Sequence, residues 1–593
     1  MKLSPAGWLY NAGVVGFLRI LQWGEDSEEL PREILSSGLK PHHLERFALY
    51  YWAYAARYFL YHEISAQLRK VVLKLLTPAK GEDKEKIGGV TTSRVLMELK
   101  RSILNLRMPS RTDNMDEDYR RFVESLKSIL DGWYCTVLRP QVDSMDEKPR
   151  NMEKNLEKVR CALYEIVKSI RDFRFQSNAL GRYYFNKGVI NNPKGAMDRL
   201  GPFHEKYVEP AIGVLAGGQS PHDGKTYTCT FCGNSYPLDK SWEKNVVFTE
   251  GDFAPVGVSY DEFHNFFYNG EAPHKCPVCQ LILLSSYAGF SRKPYILQDL
   301  EGTDHIFINL PDLGDAFSVN EQFDATLRNL SEGVLQERDN IYYAGIRIVL
   351  TTLKKKSEWI LNNVLFVEFR PTPRKDQSKP SFVYFNIDRG AAKVFKELDM
   401  ENLLTALNRT YMWHNQVVYL STEVLKKLLE KKSIKPLIFA YFRDFINGGH
   451  DNIRGLWAMV LLEHLFNRTR QALREKKEVD VMNLNRHLWA LRKAGERAFS
   501  LQEIDRDKRR RLAQRFITLI RGGRKEEFYT ELLRLYIVYK KEDLSREIFS
   551  LLSEDDHLTF QEKALAWLTG FVSPSSGVEK EGEVHEEKQE VIR

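Results

Sequence analysis

The sequence predicts an α+β protein of several domains, with a mixed α/β N-terminal body, an inserted zinc-binding module and an all-helical C-terminal bundle. Three observations predict this class. Long segments repeat apolar residues at helical spacing, shorter segments alternate apolar and polar residues, and two CxxC pairs lie between them. The 593 residues are 43% hydrophobic and 28% charged, which is a globular composition. A chain of this length divides into domains of roughly 100 to 200 residues.

The first predicted elements are helices. Residues 7–23 form an apolar run that predicts a buried helix, in which Gly13 and Gly16 each cost about 1 kcal/mol relative to Ala. We expect close packing, rather than backbone approach to a ligand, to compensate this cost. The aromatic-rich segment 44–76 predicts a core helix, and helical periodicity continues across 93–174.

Strands and then further helices follow along the chain. Alternating runs at 341–350, 359–369 and 381–387 predict strands of a mixed sheet. From Leu403 to Trp567 the periodicity is helical again. Turn residues predict helix ends at four places, which are Gly448–Gly449, Val479–Asp480, Gly522–Gly523 and Ser553–His557.

These patterns predict five segments. The last segment has six Glu against three basic residues and little apolar surface to bury, so we expect it to be disordered. The segments are an N-terminal body at 1–220, a zinc module at 221–290, a mixed β-rich region at 291–402, a helical, small-subunit-like bundle at 403–572 and the acidic tail at 573–593.

Charge and cysteine content limit the possible partners and cellular location of the protein. The 87 Lys and Arg against 80 Asp and Glu leave a net charge of +7, which favours an anionic partner only where the charge is locally concentrated. Six cysteines in a chain this long argue against a disulfide-rich secreted scaffold, and no window reaches the roughly 20 apolar residues of a membrane span. The sequence therefore predicts a cytoplasmic protein without a membrane partner. Cys135 and Cys161 lie in apolar-patterned segments, and we expect them to be core thiols.

The strongest local signal is a pair of CxxC turns. Cys229 and Cys232 form one pair, and Cys276 and Cys279 form the other. Four thiolates presented in this way suit tetrahedral zinc, and the expected role is structural. The spacer between the pairs is longer than the usual 15 to 20 residues, which indicates an inserted lobe. Four buried thiols without a metal are the alternative.

Other chemistry is less clearly signalled. The nearby His222, His264 and His274 are alternative ligands, although a lone histidine more often serves no metal. No phosphate-binding loop, His-Glu-x-x-His, Gly-x-Ser-x-Gly or dinucleotide fingerprint is present, so the sequence predicts no catalytic residues and a protein that is not an enzyme.

Basic residues concentrate near the end of the helical region. Their helical spacing suits a phosphate backbone without sequence readout, and a solvated helix face is the alternative. The candidate backbone-binding residues are Lys508, Arg509, Arg510, Arg511, Arg515, Arg521, Arg524 and Lys525.

A second candidate interface is a turn-rich segment between residues 182 and 194. Its amides are of the type that bonds base edges and its lysines are of the type that binds phosphates, whereas ordinary turn formation is the alternative explanation. The candidate residues are Asn186, Lys187, Asn191, Asn192 and Lys194.

The chain resembles a known family in three places. These are the opening Gly-Trp-Leu-Tyr-Asn-Ala-Gly-Val-Val-Gly-Phe at 7–17, the internal Tyr-Phe-Asn-Lys-Gly at 184–188 and the widely spaced CxxC pairs. In combination and order they resemble the CXXC-CXXC, or Cst-type, family of CRISPR-associated proteins, which are large subunits of type I-B Cascade effector complexes. The resemblance implies a non-enzymatic role in antiviral defence.

The resemblance also implies partners. These are CRISPR RNA, double-stranded target DNA and its displaced strand, the backbone, handle-binding and small subunits of Cascade, and a helicase-nuclease recruited after R-loop formation. It implies recognition of the protospacer-adjacent motif (PAM), with the remaining sequence read by RNA pairing. On this basis the segment at 186–194 becomes the preferred motif reader, and the basic helix residues become candidates for contacting a nucleic-acid backbone.

A further implication concerns a second product. In such systems the helical C-terminal region resembles the separate small subunit and is in some cases also made from an internal start. Lys477 to Val479 permit a ribosome-binding sequence shortly before Met482, which predicts internal initiation there and a product spanning 482–593. Met459 is the second choice of start codon.

Two other functions stay open. A zinc-containing RNA-processing or nuclease subunit would need a clustered acid or histidine site, which the sequence does not suggest. A cytoplasmic interaction protein without a nucleic-acid role would bind DNA with little salt dependence, if it bound at all.

Overall fold

The computed structural model describes most of the chain. The described residues are 1–76, 87–144, 151–181, 200–217, 226–237, 274–292, 305–331, 344–346, 348–349, 364–370, 381–413, 416–500, 502–541, 544–554 and 556–573. The chain forms two compact units, the first made of Met1–Glu337 with Phe366–Val383 and the second of Arg338–Leu365 with Tyr384–Arg593. The division of the sequence into five segments is a separate prediction, which these two units do not test.

The first unit is mainly helical. A 3₁₀ turn at Pro41–Leu44 and π-helical turns at Tyr134–Leu138 and His204–Val208 interrupt or join its helices. The helices are α1 (Trp8–Glu25), α2 (Leu30–Ser37), α3 (Phe47–Leu76), α4 (Ile87–Leu104), α5 (Met115–Trp133), α6 (Arg139–Asp143), α7 (Met152–Arg171), α8 (Arg174–Gly181), α9 (Leu200–Phe203), α10 (Glu209–Leu215), α11 (Pro277–Leu284), α12 (Ser286–Gly289) and α13 (Leu313–Ser331).

The described strands form three small sheets. One is an antiparallel pair of β1 (Thr226–Thr228) and β2 (Ser235–Pro237), with Tyr227 opposite Tyr236. The second has the order β3-β4-β5-β6 and consists of β3 (Ser291–Arg292), β4 (His305–Asn309), β5 (Leu365–Arg370) and β6 (Ser381–Asn386). The third is the antiparallel pair β7 (Thr410–Trp413) and β8 (Gln416–Tyr419).

The second unit consists mainly of helices, which both precede and follow the hairpin of β7 and β8 in the described part of the chain. Several begin at an aspartate or asparagine whose side chain accepts a hydrogen bond from the first turn, as Asp480 does from the amide of Asn483. The helices are α14 (Arg389–Glu397), α15 (Met400–Ala406), α16 (Leu420–Leu429), α17 (Lys435–Ile446), α18 (Ile453–Arg474), α19 (Val481–Arg497), α20 (Arg506–Arg521), α21 (Lys525–Val538), α22 (Arg546–Leu552) and α23 (His557–Phe571).

Parts of the predicted architecture need correction. The described residues before 218 form helices and connecting turns without a strand, so the described part of the N-terminal body is helical rather than mixed α/β. The strand predicted at 341–350 is wrong, because its described residues are helical. Strand β5 begins at Leu365 within the strand predicted at 359–369, of which residues 359–363 lie outside the described part of the chain. The helical C-terminal region includes the hairpin of β7 and β8. In each case short alternating or apolar runs fit either structure, and tertiary contacts decide between them.

The glycines of α1 lie at a close helix crossing, which confirms the packing interpretation. A Cβ on Gly13 would come 2.5 Å from the carbonyl oxygen of Ile282, and a Cβ on Gly16 would come 2.0 Å from that of Ser285. Conversely, a Cβ on Gly289 would come 1.9 Å from the carbonyl oxygen of Ala12. Only glycine lets α1 approach α11 and α12 this closely, so the crossing fixes the position of α11 in the core.

A buried arginine secures the same crossing. Arg19 is 6% exposed, and its guanidinium donates to the carbonyl oxygens of Ala288 at 2.9 Å and Asn320 at 2.7 Å and to the carboxylate of Glu321. Although burial alone would lower it, the charge of Glu321 holds the pKa of Arg19 above its ordinary value. The charge therefore persists in the core and joins α1, α12 and α13.

The C-terminal bundle contains a second glycine crossing. A Cβ on Gly495 would come 2.0 Å from the carbonyl oxygen of Trp567, and a Cβ on Gly570 would come 1.8 Å from that of Arg492. Helices α19 and α23 therefore pack with their backbones nearly in contact. The four predicted turns each separate two described helices, which confirms them, but the helix ends at 498–505 and 539–545 were not predicted.

A buried ionic network joins three helices of this bundle. Glu562 of α23 is 2% exposed, and its carboxylate lies 2.9 Å from Nδ1 of His464 and 3.3 Å from Nζ of Lys435. Asn467 donates to it at 3.0 Å, and Arg468 lies 3.5 Å away. Burial alone would raise the pKa of Glu562, but its hydrogen bond and charge interaction with His464 and the charge of Lys435 hold it below its ordinary value.

Removal of the Glu562 charge is expected to loosen the bundle. In Glu562→Gln the buried cations lose their counter-charge, at a cost of about 3 kcal/mol, so α18 and α23 should exchange amide hydrogens faster at pH 7. A folded-state pKa below the unfolded value means that this stabilisation is present above about pH 4.3 and lost as the pH falls. Mass-spectrometric hydrogen exchange measures the effect, with the exposed Glu527→Gln as control. Equal exchange of α23 in the two variants contradicts the prediction.

None of the described helices combines the length and the apolar character needed to cross a membrane.

Candidate metal centre and candidate nucleic-acid interface

The first CxxC pair lies in the tight turn between β1 and β2. The amide of Cys229 donates to the carbonyl oxygen of Asn234 at 2.9 Å, and the amide of Gly233 donates back to the carbonyl oxygen of Cys229 at 2.9 Å. Gly233 has a φ of 68°, a left-handed conformation that favours glycine. The hairpin register and this glycine together turn Cys229 and Cys232 toward the same side.

The second CxxC pair begins helix α11. Cys276 is its N-cap, and its Sγ accepts a hydrogen bond from the amide of Cys279 at 3.4 Å, while Pro277 occupies the first helical position. The amide of Cys276 also donates to Sγ of Cys229 at 3.3 Å. The helix N-terminus thus places backbone donors beside sulfur, where they stabilise the thiolate form.

The four predicted ligand cysteines meet at one point. Their Sγ atoms all lie within 4.8 Å of one another, and those of Cys232 and Cys276 are 3.9 Å apart. Zn–S bonds of about 2.3 Å in a tetrahedron place sulfurs roughly 3.8 Å apart, so only a small contraction is needed. Cys229, Cys276 and Cys279 are buried and Cys232 is partly exposed. Donor type, number and spacing therefore fit a metal such as zinc.

The thiols influence one another strongly. Hydrogen bonds with Cys229, Cys276 and Cys279 hold the pKa of Cys232 well below its ordinary value. For Cys229, the hydrogen bond with Cys232 raises the pKa. The hydrogen bonds with Cys276 and Cys279 lower it, and the pKa of Cys229 is about 7 as a result. Hydrogen bonds with Cys229 and Cys232 in turn raise the pKa of Cys276 and of Cys279, so the negative charge of the cluster concentrates on the first knuckle. A metal binds thiolates, so its binding would release the remaining protons.

Two tyrosines surround the sulfurs, and the sequence did not single them out. The hydroxyl oxygen of Tyr236 lies 3.2 Å from Sγ of Cys232, and that of Tyr10 lies 3.7 Å from Sγ of Cys279. Burial, followed by the nearby cysteine sulfurs, raises the pKa of both hydroxyls, so they keep their protons. Tyr10 also stacks on Phe231 of the first knuckle, with ring centroids 5.1 Å apart. The alternation of hairpin residues predicts Tyr236 near the site, whereas only the fold brings Tyr10 there.

Of the three alternative histidine ligands, His274 is described, and it is not part of the cluster. The carbonyl oxygen of His274 accepts a hydrogen bond from the amide of Thr230 at 2.9 Å, and its ring lies 5.4 Å from that of Tyr227. His274 thus links the two knuckles through its backbone. His222 and His264 lie outside the described residues.

The predicted basic residues lie on and after helix α20. Asp505 caps this helix, and Phe516 and Ile520 are buried beneath it. The described side chains on the opposite face are exposed. These include Lys508, Arg510, Arg511, Arg515 and Arg521.

Arg509 is an exception and needs correction. Its side chain is 1% exposed, and it donates to the carbonyl oxygens of Ile504 at 3.0 Å, Phe571 at 2.7 Å and Phe499. It is therefore a structural residue that joins α20 to the end of α23, and a phosphate cannot reach it. Helical spacing explains the error, because position 509 falls on the same face as Phe516 and Ile520.

Other members of the set already have protein partners. Arg515 lies 2.6 Å from Glu531, Arg524 lies 3.4 Å from Glu527, and Lys525 donates to the carbonyl oxygen of Glu554 at 3.0 Å. Arg510, Arg511 and Arg521 have no ion pair within the part of the chain that the structure describes. These three form the "arginine face" of α20.

Several other predictions lie outside the described residues. The candidate motif-reading residues Asn186, Lys187, Asn191, Asn192 and Lys194 are among them, as is the tail after residue 573.

Three further residues from the sequence analysis are placed. Met482 lies in the first turn of α19, one residue inside a helix that Asp480 caps. The expectation of core thiols is wrong, since Cys135 and Cys161 are exposed. Cys161 lies two residues after the buried Val159, about 200° around α7 and so on its outer face.

Comparison with known proteins gives one match. Residues 222–291 match the family model described as CRISPR-associated protein (Cas_CXXC_CXXC), and this range contains all four clustered cysteines. The match supports the resemblance to a CRISPR-associated CXXC-CXXC family. Neither a curated protein nor a solved structure matches the chain.

Proposed function

We propose that this protein is the large subunit of a type I CRISPR RNA-guided surveillance complex of the type I-B class. In this role it recognises the protospacer-adjacent motif on double-stranded DNA, supports R-loop formation and recruits the helicase-nuclease. The observation that carries the proposal is the match to the CRISPR-associated CXXC-CXXC family at the residues that form the four-cysteine centre.

The proposed metal is zinc, and its proposed role is structural. Four sulfur ligands leave no open coordination position, which is typical of sites that hold a fold together. Cys229 and Cys232 would hold it from the β1–β2 turn, and Cys276 and Cys279 from the start of α11. The chain is accordingly proposed to be a non-enzymatic subunit, with Tyr10 and Tyr236 orienting the sulfurs.

The proposed division of labour assigns two DNA contacts. The segment at 186–194 reads the motif, and the arginine face of α20 binds a nucleic-acid backbone without reading sequence. The exposure of the arginine face supports its role in binding the backbone, since an exposed cation releases counterions from the phosphates that it neutralises. Internal initiation at Met482 stays a prediction, and such a product would lack the Asp480 cap.

Two variants of the assembled complex test these roles. Replacement of Asn186, Asn191 and Asn192 by Ala should weaken binding to a target duplex with the preferred flanking bases about tenfold or more, and binding to one with scrambled flanks much less. The preferred bases are first selected from a library randomised beside the target. The measurement is the equilibrium Kd on each duplex.

The second variant is the matched control for the first. Replacing Arg510, Arg511 and Arg521 with Gln should weaken binding to both duplexes alike and reduce the slope of log K against log salt by up to about 3. Equal losses on both duplexes in the Asn variant rule out the segment as motif reader. An unchanged salt slope in the Arg variant rules out the arginine face. Absence of any flank preference in the complex would falsify the proposed function itself.

A further inference from the structure

The acidic C-terminal segment begins near the N-terminal end of α20, the helix that carries the arginine face. Helices α20 and α23 are antiparallel, because Gln561 near the start of α23 donates to the carbonyl oxygen of Ile520 at 3.0 Å. At the other end, the carbonyl oxygen of Phe571 accepts from Arg509 in the first turn of α20 at 2.7 Å. The chain therefore leaves α23 at the end of α20 that carries Arg510 and Arg511.

The charges of the two parts are complementary. Within Arg506–Arg521 the single acidic residue is Asp507. The segment 574–593 contains six Glu and three basic residues, and its acids lie between Glu579 and Glu590. Adjacent Glu and exposed Arg side chains attract each other over the roughly 8 Å screening length of physiological salt.

Chain length permits the contact. Helix α20, with its 16 residues, is about 24 Å long. The segment from 574 to 590 spans up to about 56 Å when extended, so its acids can reach from Arg510 to Arg521. Because the segment is tethered, its effective concentration at this face is on the order of 1 mM, which makes a weak contact significant.

We propose that residues 579–590 dock on the arginine face of α20 and compete there with a polyanion. The contact is autoinhibitory. It prevents weak, nonspecific binding of nucleic-acid backbones to the arginine face, while a nucleic acid held by additional contacts displaces it. The inference rests on the proposed function only for the identity of the competitor.

The test uses the full-length chain with its six tail glutamates replaced by Gln, the tail-neutral variant. Its affinity for a mixed-sequence single-stranded DNA should rise about tenfold over the parent chain, if the tethered segment binds with a Kd near one tenth of its effective concentration. The gain should vanish when Arg510, Arg511 and Arg521 are also Gln. Fluorescence anisotropy of labelled DNA measures both.

A second arm needs no nucleic acid. A labelled peptide of residues 574–593 is titrated into the tail-neutral variant, and binding should weaken with salt and disappear in the Arg-to-Gln background. Peptide binding without DNA binding overturns the proposed backbone role and leaves the docking intact. DNA binding that neither tail neutralisation nor the peptide changes overturns the docking and leaves the backbone role intact.

Discussion

The purified protein is expected to carry one zinc ion per chain, and Cys276→Ser is expected to lose most of it. The substitution is selective because the serine hydroxyl can still accept the N-cap hydrogen bond of α11 from the amide of Cys279. What it removes is a thiolate, the ligand that closes the sulfur tetrahedron. Elemental analysis of the dialysed protein measures the stoichiometry.

Loss of zinc should spread through the first unit and spare the second. Chelation should raise hydrogen exchange in β1, β2 and α11, and then in α1, which packs on α11 through Gly13. Helices α19 and α23 should be unchanged. Because the ligands bind as thiolates, zinc occupancy should also fall as the pH is lowered.

The exposed cysteines supply the matched control. Cys135→Ser and Cys161→Ser remove a thiol outside the cluster and should leave both zinc content and exchange unchanged. Full zinc occupancy in Cys276→Ser, or an equal loss in the control variants, would contradict the assignment of the metal centre.

The second large effect is expected at the crossing of α1 with α12. In Gly16→Ala the new Cβ would lie 2.0 Å from the carbonyl oxygen of Ser285 and 2.6 Å from the amide nitrogen of Gly289. These are backbone atoms and cannot rotate away, so the helices must separate, at a cost of about 3 kcal/mol or more. Thermal melting followed by circular dichroism should show a clear decrease in Tm.

Gly132→Ala is the control for this substitution. Gly132 is also in a helix, but a Cβ there would meet no heavy atom within 4 Å. The alanine should be neutral or stabilise the protein by up to about 1 kcal/mol, through its better helix propensity. Similar Tm values for the two variants would contradict the prediction, because they would show that α1 and α12 can move apart without loss of stability.

The sequence determined the features that depend on local chemistry. The cysteine spacing identified the four residues whose sulfurs cluster, since each CxxC turn presents its own two sulfurs whatever the surrounding fold. Apolar periodicity and turn residues identified the helical region and four of its helix boundaries, because an amphipathic helix carries its pattern within itself; the breaks after α19 and α21 were missed. The glycines of α1 indicated close packing, although not the helix they contact.

Only the tertiary structure decided the features that join distant residues. It brought Tyr10 to Cys279, 269 positions away, and it buried Arg509 under the end of α23 while Arg510 and Arg511 stayed exposed. It also made the residues described within 341–350 helical. The physical reason is the same in each case. Burial, long-range hydrogen bonds and strand pairing depend on which surfaces meet, and a pattern along one segment does not contain its partner.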